Sequence, residues 1–339
     1  MPLKVIEGIR NLALEEDLTR FLQRLGGPTL IRLQGRDRSR RRAFCTLLHG
    51  NEPSGVRALH AYLLSGETPA VDLDVIIASI PAALAPPMFS QRMLPGQRDI
   101  NRCFRSPFDD DQGKLAEAIL RFLHESKPEC LIDLHNTSGS GPAFGVAIRC
   151  DADHRALTSL WTNDLIVTDL RLGALMEISE LDMPTVTIEC GGAQDETSLL
   201  IAREGMQRYF GSEQVLAAAG RDYGVNRFRN PIRMELKPGR RVHYGDAVDP
   251  DAALTLPLDA ARFNYGSVPA GERLAILGAA GLEALTAKDH LGRERLHDHF
   301  AAINGRLSPK HPLKLFMVTT NPIIATTDCL FYFIDCANT

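Results

Sequence analysis

Residues Val71-Asp72-Leu73-Asp74-Val75-Ile76-Ile77 alternate apolar and acidic side chains and then turn wholly apolar, as a strand does when it enters a buried sheet. Outward from this stretch, residues 29–34, 43–48, 130–134, 144–148 and 185–188 form further short apolar runs. Helical periodicity fills the intervals at 56–64, 113–125 and 195–219. Strands alternating with helices predict a three-layer α/β domain with a mixed sheet over residues 1–225. Beyond residue 225, turn signals such as Lys237-Pro238-Gly239 and Pro269-Ala270-Gly271 separate β-rich runs, and 313–334 has little helical period. Residues 226–339 are therefore expected to form a smaller β-rich domain. Arg36-Asp37-Arg38-Ser39-Arg40-Arg41-Arg42, between two apolar runs, reads as the solvated tip of a hairpin.

Composition bounds the function. Among 339 residues, 38 Lys and Arg against 42 Asp and Glu give a net charge of -4, which asks for neither nucleic acid nor an anionic membrane. No apolar run approaches the ~18 residues of a membrane span, and the N-terminus lacks the apolar core of a signal peptide. Seven scattered cysteines without a C-x-x-C suit free thiols in a reducing cytoplasm. The protein is expected to be cytoplasmic and is compatible with a homo-oligomer.

Chemistry gathers where strands run out into polar loops, the usual place for ligands in open α/β sheets. His49-Gly50-Asn51-Glu52 sets an imidazole and a carboxylate three apart on a turn. His135 follows a buried run, and Glu189-Cys190-Gly191-Gly192 puts a carboxylate before two glycines. Two His and one Glu form the ligand set of a catalytic zinc with an open position for water. Glu189 suits the separate carboxylate that must accept the water's proton. His297-Asp298-His299 reads as a solvated helix face. No G-x-S-x-G, P-loop or H-E-x-x-H is present.

In order and spacing, His49-x-x-Glu52, Asp99-Ile100-Asn101-Arg102-Cys103-Phe104, Asp133-Leu134-His135 and Glu189-x-Gly191-Gly192 resemble the succinylglutamate desuccinylase/aspartoacylase family. That family is a branch of the zinc carboxypeptidase-like superfamily. The resemblance covers most of residues 25–225 and returns faintly at 263–271. It implies one zinc per chain on His49, Glu52 and His135, with Glu189 as general base and acid. It also implies that Asn101 and Arg102 bind a substrate carboxylate and that an upstream arginine stabilises the oxyanion. Arg92 and Arg98 compete for that last role; Arg92-Met93-Leu94-Pro95 looks more like the family's Arg-x-x-Pro pattern and is preferred. The stretch 176–182 is acidic and carries no counterpart of the arginine that precedes the catalytic Glu in aspartoacylases. That departure puts N-acetylaspartate in doubt and leaves the acyl group open. The function implied is zinc-dependent hydrolysis of the amide bond of a small N-acyl amino acid. The alternatives are a carboxypeptidase-like metallopeptidase and a non-catalytic metal-binding relative.

Overall fold

The apolar runs of the first two thirds pair into one mixed sheet. A computed structural model describes residues 3–8, 14–137, 139–181, 183–327 and 329–336, without the side chains of 324 and 327. The acidic stretch read at 176–182 thus ends on a residue outside the described ones. The sheet is built from β1 (Lys4–Glu7), β2 (Thr29–Leu33), β3 (Asp37–Thr46), β4 (Val71–Ile77), β5 (Leu131–Thr137), β6 (Phe144–Ala147), β7 (Asp164–Val167), β8 (Thr185–Gly192) and β9 (Asn226–Arg229). Their order across the sheet is β1-β2-β4-β3-β5-β8-β6-β7-β9. β3 runs parallel to both β4 and β5, whereas β2–β4 and β6–β8 are antiparallel.

The helices of this unit are α1 (Leu18–Leu25), α2 (Ser54–Ser65), α3 (Ile80–Leu84), α4 (Asp111–Ser126), α5 (Ala152–Ser159) and α6 (Glu196–Gly211). Successive strand residues point to opposite faces, and β3 uses both. Ala43 and Cys45 join Leu115, Ala116, Ile119 and Leu123 of α4 in one buried cluster. Phe44, between them, meets Phe210 of α6 edge-on at 5.3 Å, and Tyr62 of α2 meets the same ring at 4.9 Å. Helices on both faces make the three layers.

The basic stretch is not a solvated hairpin tip. β4 lies between β2 and β3, so the two runs that flank the arginines never pair. Arg41 stands opposite Asp72 on β4 and bonds both Asp74 at 2.8 Å and Asp72 at 3.2 Å. Arg42 is fully buried. It donates to Glu129 at 2.6 Å and to the carbonyls of Tyr209, Ser212 and Glu213 at 2.7–2.8 Å. A buried guanidinium is tolerable only when its donors are met in this way. The acids of β4 are the matching half of the same pattern.

The chain divides into two compact units, the second comprising residues 137–142, 166–170 and 227–339. Its strands are β10 (Ile232–Leu236), β11 (Val242–Tyr244), β12 (Leu254–Leu256), β13 (Ser267–Val268), β14 (Ala275–Leu277), β15 (Leu285–Lys288), β16 (Phe300–Ile303), β17 (Arg306–Pro309), β18 (Leu313–Phe316) and β19 (Phe331–Asp335). They form two sheets, β13-β18-β19-β10-β15 and β11-β12-β14-β17-β16. One apolar cluster joins the sheets, with Phe300 of β16 edge-on to Phe333 of β19 at 5.0 Å. Two short helices, α7 (Leu296–His299) and α8 (Pro322–Thr327), interrupt the β structure. α8 falls inside 313–334, where the sequence shows little helical period. Among the described residues, no helix is long and apolar enough to cross a membrane.

Candidate active site

β3 delivers the first two site residues through a strained turn. Leu47, buried, takes a positive φ of 57°, a region that L-residues with large side chains avoid. Its carbonyl accepts from Ser79 N at 2.7 Å, and Gly50 N donates to Arg92 O at 2.9 Å. A Cβ on Gly50 would sit 2.6 Å from backbone atoms of Ala82, Ala83 and Gln91, so only glycine lets the turn approach α3 this closely. The turn ends where α2 begins, and His49 Nδ1 lies 2.8 Å from Glu52 Oε1. β5 supplies the third residue. Asp133 and His135, two apart, share one face of that buried strand. His135 Nδ1 lies 2.6 Å from Glu52 Oε2.

Both rings are aimed from behind. His49 Nε2 donates to Asp99 at 2.9 Å, and His135 Nε2 donates to Asp133 at 2.8 Å. A neutral ring that donates from Nε2 must turn a bare Nδ1 lone pair toward Glu52, so two acceptors would face each other. Protons are one remedy. Burial opposes charge on both rings, but Glu52 and Asp99 raise the His49 pKa, and Asp133 and Glu52 raise that of His135 well above its ordinary value. Burial opposes charge on Glu52 too, yet the two histidines hold its carboxyl well below the usual range. A divalent cation would do the work of both protons. One ligand atom from each of His49, Glu52 and His135 lies within 4.8 Å of the others, all three residues being buried. Two imidazoles and a carboxylate, with both outer ring nitrogens on carboxylates, fit zinc in donor chemistry and in support.

Glu189 lies on β8, beside β5 in the sheet. The strand is tied there by Cys190, whose thiol donates to His135 O at 2.9 Å. Glu189 is half-buried, and among the described residues its Oε2 is sealed from solvent without a hydrogen-bond partner. Burial, helped by the charge on Glu52, pushes its carboxyl up to about 7 against the pull of His135, His49 and Arg92. Gly191, next but one, has a φ of 100° and passes its carbonyl to Asn136 Nδ2 at 2.9 Å.

The two candidate arginines part company. Arg92 reaches Glu52 at 3.4 Å and Asp99 at 2.9 Å. Arg98 instead binds Asp110, the cap of α4, at 2.8 Å. Asn101 is buried and accepts from Leu175 N at 2.9 Å, so its carbonyl anchors the chain ahead of β8. Arg102 is exposed and donates to the carbonyl of Asn101 at 2.7 Å.

Three contributors carry no assigned role in the sequence reading. Asp99 and Asp133 orient the imidazoles. Asn136 accepts from Ser54 N at 3.0 Å while donating to Ser54 Oγ and Gly191 O at 2.9 Å each, which ties α2, β5 and β8 at the site. Asp133 had a signal, since it sits two residues before His135 on one strand. Asn136, next to His135, had none beyond its place at a strand end.

No protein-family model and no curated protein sequence matches the chain. Its backbone is similar to that of succinylglutamate desuccinylase from Chromobacterium violaceum, at 12% identity, with 95% of this chain and 98% of that one covered and a TM-score of 0.58. A succinylglutamate desuccinylase from Silicibacter sp. matches at 16% identity over 91% and 88% of the two chains, with a TM-score of 0.56. Murine aminoacylase 3 matches at 17% identity over 89% and 96%, with a TM-score of 0.50. The layered mixed sheet, the β-rich second unit and these likenesses together give the chain the succinylglutamate desuccinylase/aspartoacylase fold, a carboxypeptidase-like α/β domain with a β-rich C-terminal part.

Proposed function

We propose that the protein is a zinc-dependent hydrolase that removes the acyl group of a small N-acyl amino acid. The observation that carries this reading is the buried imidazole–carboxylate–imidazole cluster of His49, Glu52 and His135 beside a glutamate held near neutrality. Held by those three residues, a zinc ion would supply a Lewis acid for the scissile carbonyl and a lowered pKa for water. Glu189 handles the proton. It takes one from water as the oxygen bonds to the carbonyl carbon, and delivers it to the amine nitrogen as the C–N bond breaks. A carboxyl poised near neutral pH serves both transfers. Arg92 presents a guanidinium beside Glu52, where negative charge develops on the carbonyl oxygen. Asn101 and Arg102 would take the carboxylate of the amino acid, and the exposed fork of Arg102 suits such a planar anion.

The test is a turnover panel of N-acetyl and N-succinyl amino acids against dipeptides. The N-acyl amino acids are expected to be hydrolysed, with activity lost to a chelator and restored by zinc. Glu189→Gln should keep its zinc and lose roughly 100-fold or more in kcat. Faster turnover of dipeptides would move the assignment to a carboxypeptidase-like peptidase. Turnover that survives complete zinc removal would end it.

A further inference from the structure

His299, His311 and Asp335 converge from three strand ends of the second unit. His299 closes α7 ahead of β16, His311 lies in the turn from β17 to β18, and Asp335 ends β19. Register brings them together, since Phe300 faces Pro309 and Leu313 faces Asp335. His299 Nδ1 lies 3.0 Å from His311 Nε2, and His311 Nδ1 lies 3.5 Å from Asp335 Oδ1. The solvated face expected at 297–299 holds only for His297 and Asp298. His299 is buried, with its ring edge-on to Phe333 at 5.1 Å.

The hydrogen bonding of this group is incomplete. The four ring nitrogens share one mutual hydrogen bond. Among the described residues, His299 Nε2 and His311 Nδ1 are buried with no hydrogen-bond partner, the 3.5 Å contact to Asp335 being too long and poorly directed to serve. Unmet buried polar atoms cost free energy, and two within one cluster ask for an explanation such as an ion. One ligand atom from each of the three residues lies within 4.8 Å of the others.

We propose that His299, His311 and Asp335 form a second metal site, for a divalent transition metal of the zinc class, that staples the two sheets of the C-terminal unit. His299 borders the sheet of β16, Asp335 belongs to the sheet of β19, and His311 stands between them. Two imidazoles and a carboxylate favour zinc or copper over magnesium or calcium, which take all-oxygen sites. The partial exposure of His311 and Asp335 leaves room for a water ligand.

The test removes the other candidate centre first. A His49→Ala/His135→Ala protein, stripped of metal, is titrated with zinc chloride against a chromophoric chelator. One equivalent per chain should bind and raise the Tm. Adding His311→Gln and Asp335→Asn should weaken that binding at least ten-fold and abolish the Tm rise, with an unchanged circular dichroism spectrum. Neither position is fully buried, so these variants are expected to fold. If the background protein does not fold, the same two substitutions in the native chain should remove one zinc equivalent, whatever the cluster at His49 holds. Less than one equivalent in the background protein, or binding unmoved by the added substitutions in whichever protein is titrated, overturns the proposal.

Discussion

Each imidazole of the candidate centre is held by a carboxylate on its far side, and that support is open to direct test. Asp133→Asn keeps the shape of the residue behind His135 but removes the charge that its Nε2–H meets at 2.8 Å. Zinc affinity should fall about 10–100-fold, read by competition with a chelator; an unchanged affinity would mean that the ring is oriented by packing alone. Glu189 gives a second test, of sign. In the metal-free protein its carboxyl is raised to about 7 by burial and Glu52, from 4.5. The folded state therefore binds a proton that the unfolded state lacks between those values. Its contribution favours folding at low pH, fades as pH rises through that window, and leaves an unfavourable buried charge above it. Glu189→Gln should raise the Tm of metal-free protein by about 2 °C or more at pH 8 and leave it nearly unchanged at pH 5. An equal effect at both values would mean that the carboxyl is not held neutral by the fold. His49, Glu52, His135 and Glu189 stand out in the sequence because chemistry at strand ends interrupts apolar runs. The pairing of His49 with Asp99, fifty residues away, is invisible there because it depends on how two loops meet.

At the scale of elements, the close approach of loops is what the sequence hides. Gly50 reads as an ordinary turn glycine, yet it stands where a methyl group would strike two backbone segments, the Ala82–Ala83 peptide and the Gln91 carbonyl. Gly50→Ala should destabilise the fold by roughly 1–3 kcal/mol through overpacking. It should also weaken zinc binding, because His49 and Glu52 ride on the same turn. A variant with native Tm and native zinc affinity would show the turn to be free to shift. Strand and helix identities were legible from periodicity at 71–77, 113–125 and 130–134, where long buried runs leave little ambiguity. Charge patterning misleads at 36–42, because charges that are alike along the sequence find their partners on neighbouring strands rather than in solvent. Asp72 and Asp74 on β4 and Glu129 ahead of β5 neutralise them. The same error of context hid the burial of His299, which depends on β19 packing from the opposite sheet.

Across the whole molecule, a fold shared with proteins of 12–17% identity is carried by pattern rather than by residues. The mixed sheet was readable because burial restricts residue type along its strands. The β-rich unit was readable only as a class, since short strands joined by turns leave register and sheet partners to long-range packing. Its two sheets, and the strand ends that bring His299, His311 and Asp335 together, appear only in three dimensions. The central claim is that His49, Glu52 and His135 hold the metal on which hydrolysis depends. Anomalous scattering at the zinc edge from crystals of zinc-loaded protein tests it most directly. The account predicts a peak within about 2.0–2.2 Å of His49 Nδ1, His135 Nδ1 and a Glu52 carboxylate oxygen. Density that shows the three side chains ordered with no peak between them, while zinc binds elsewhere on the chain, would contradict it.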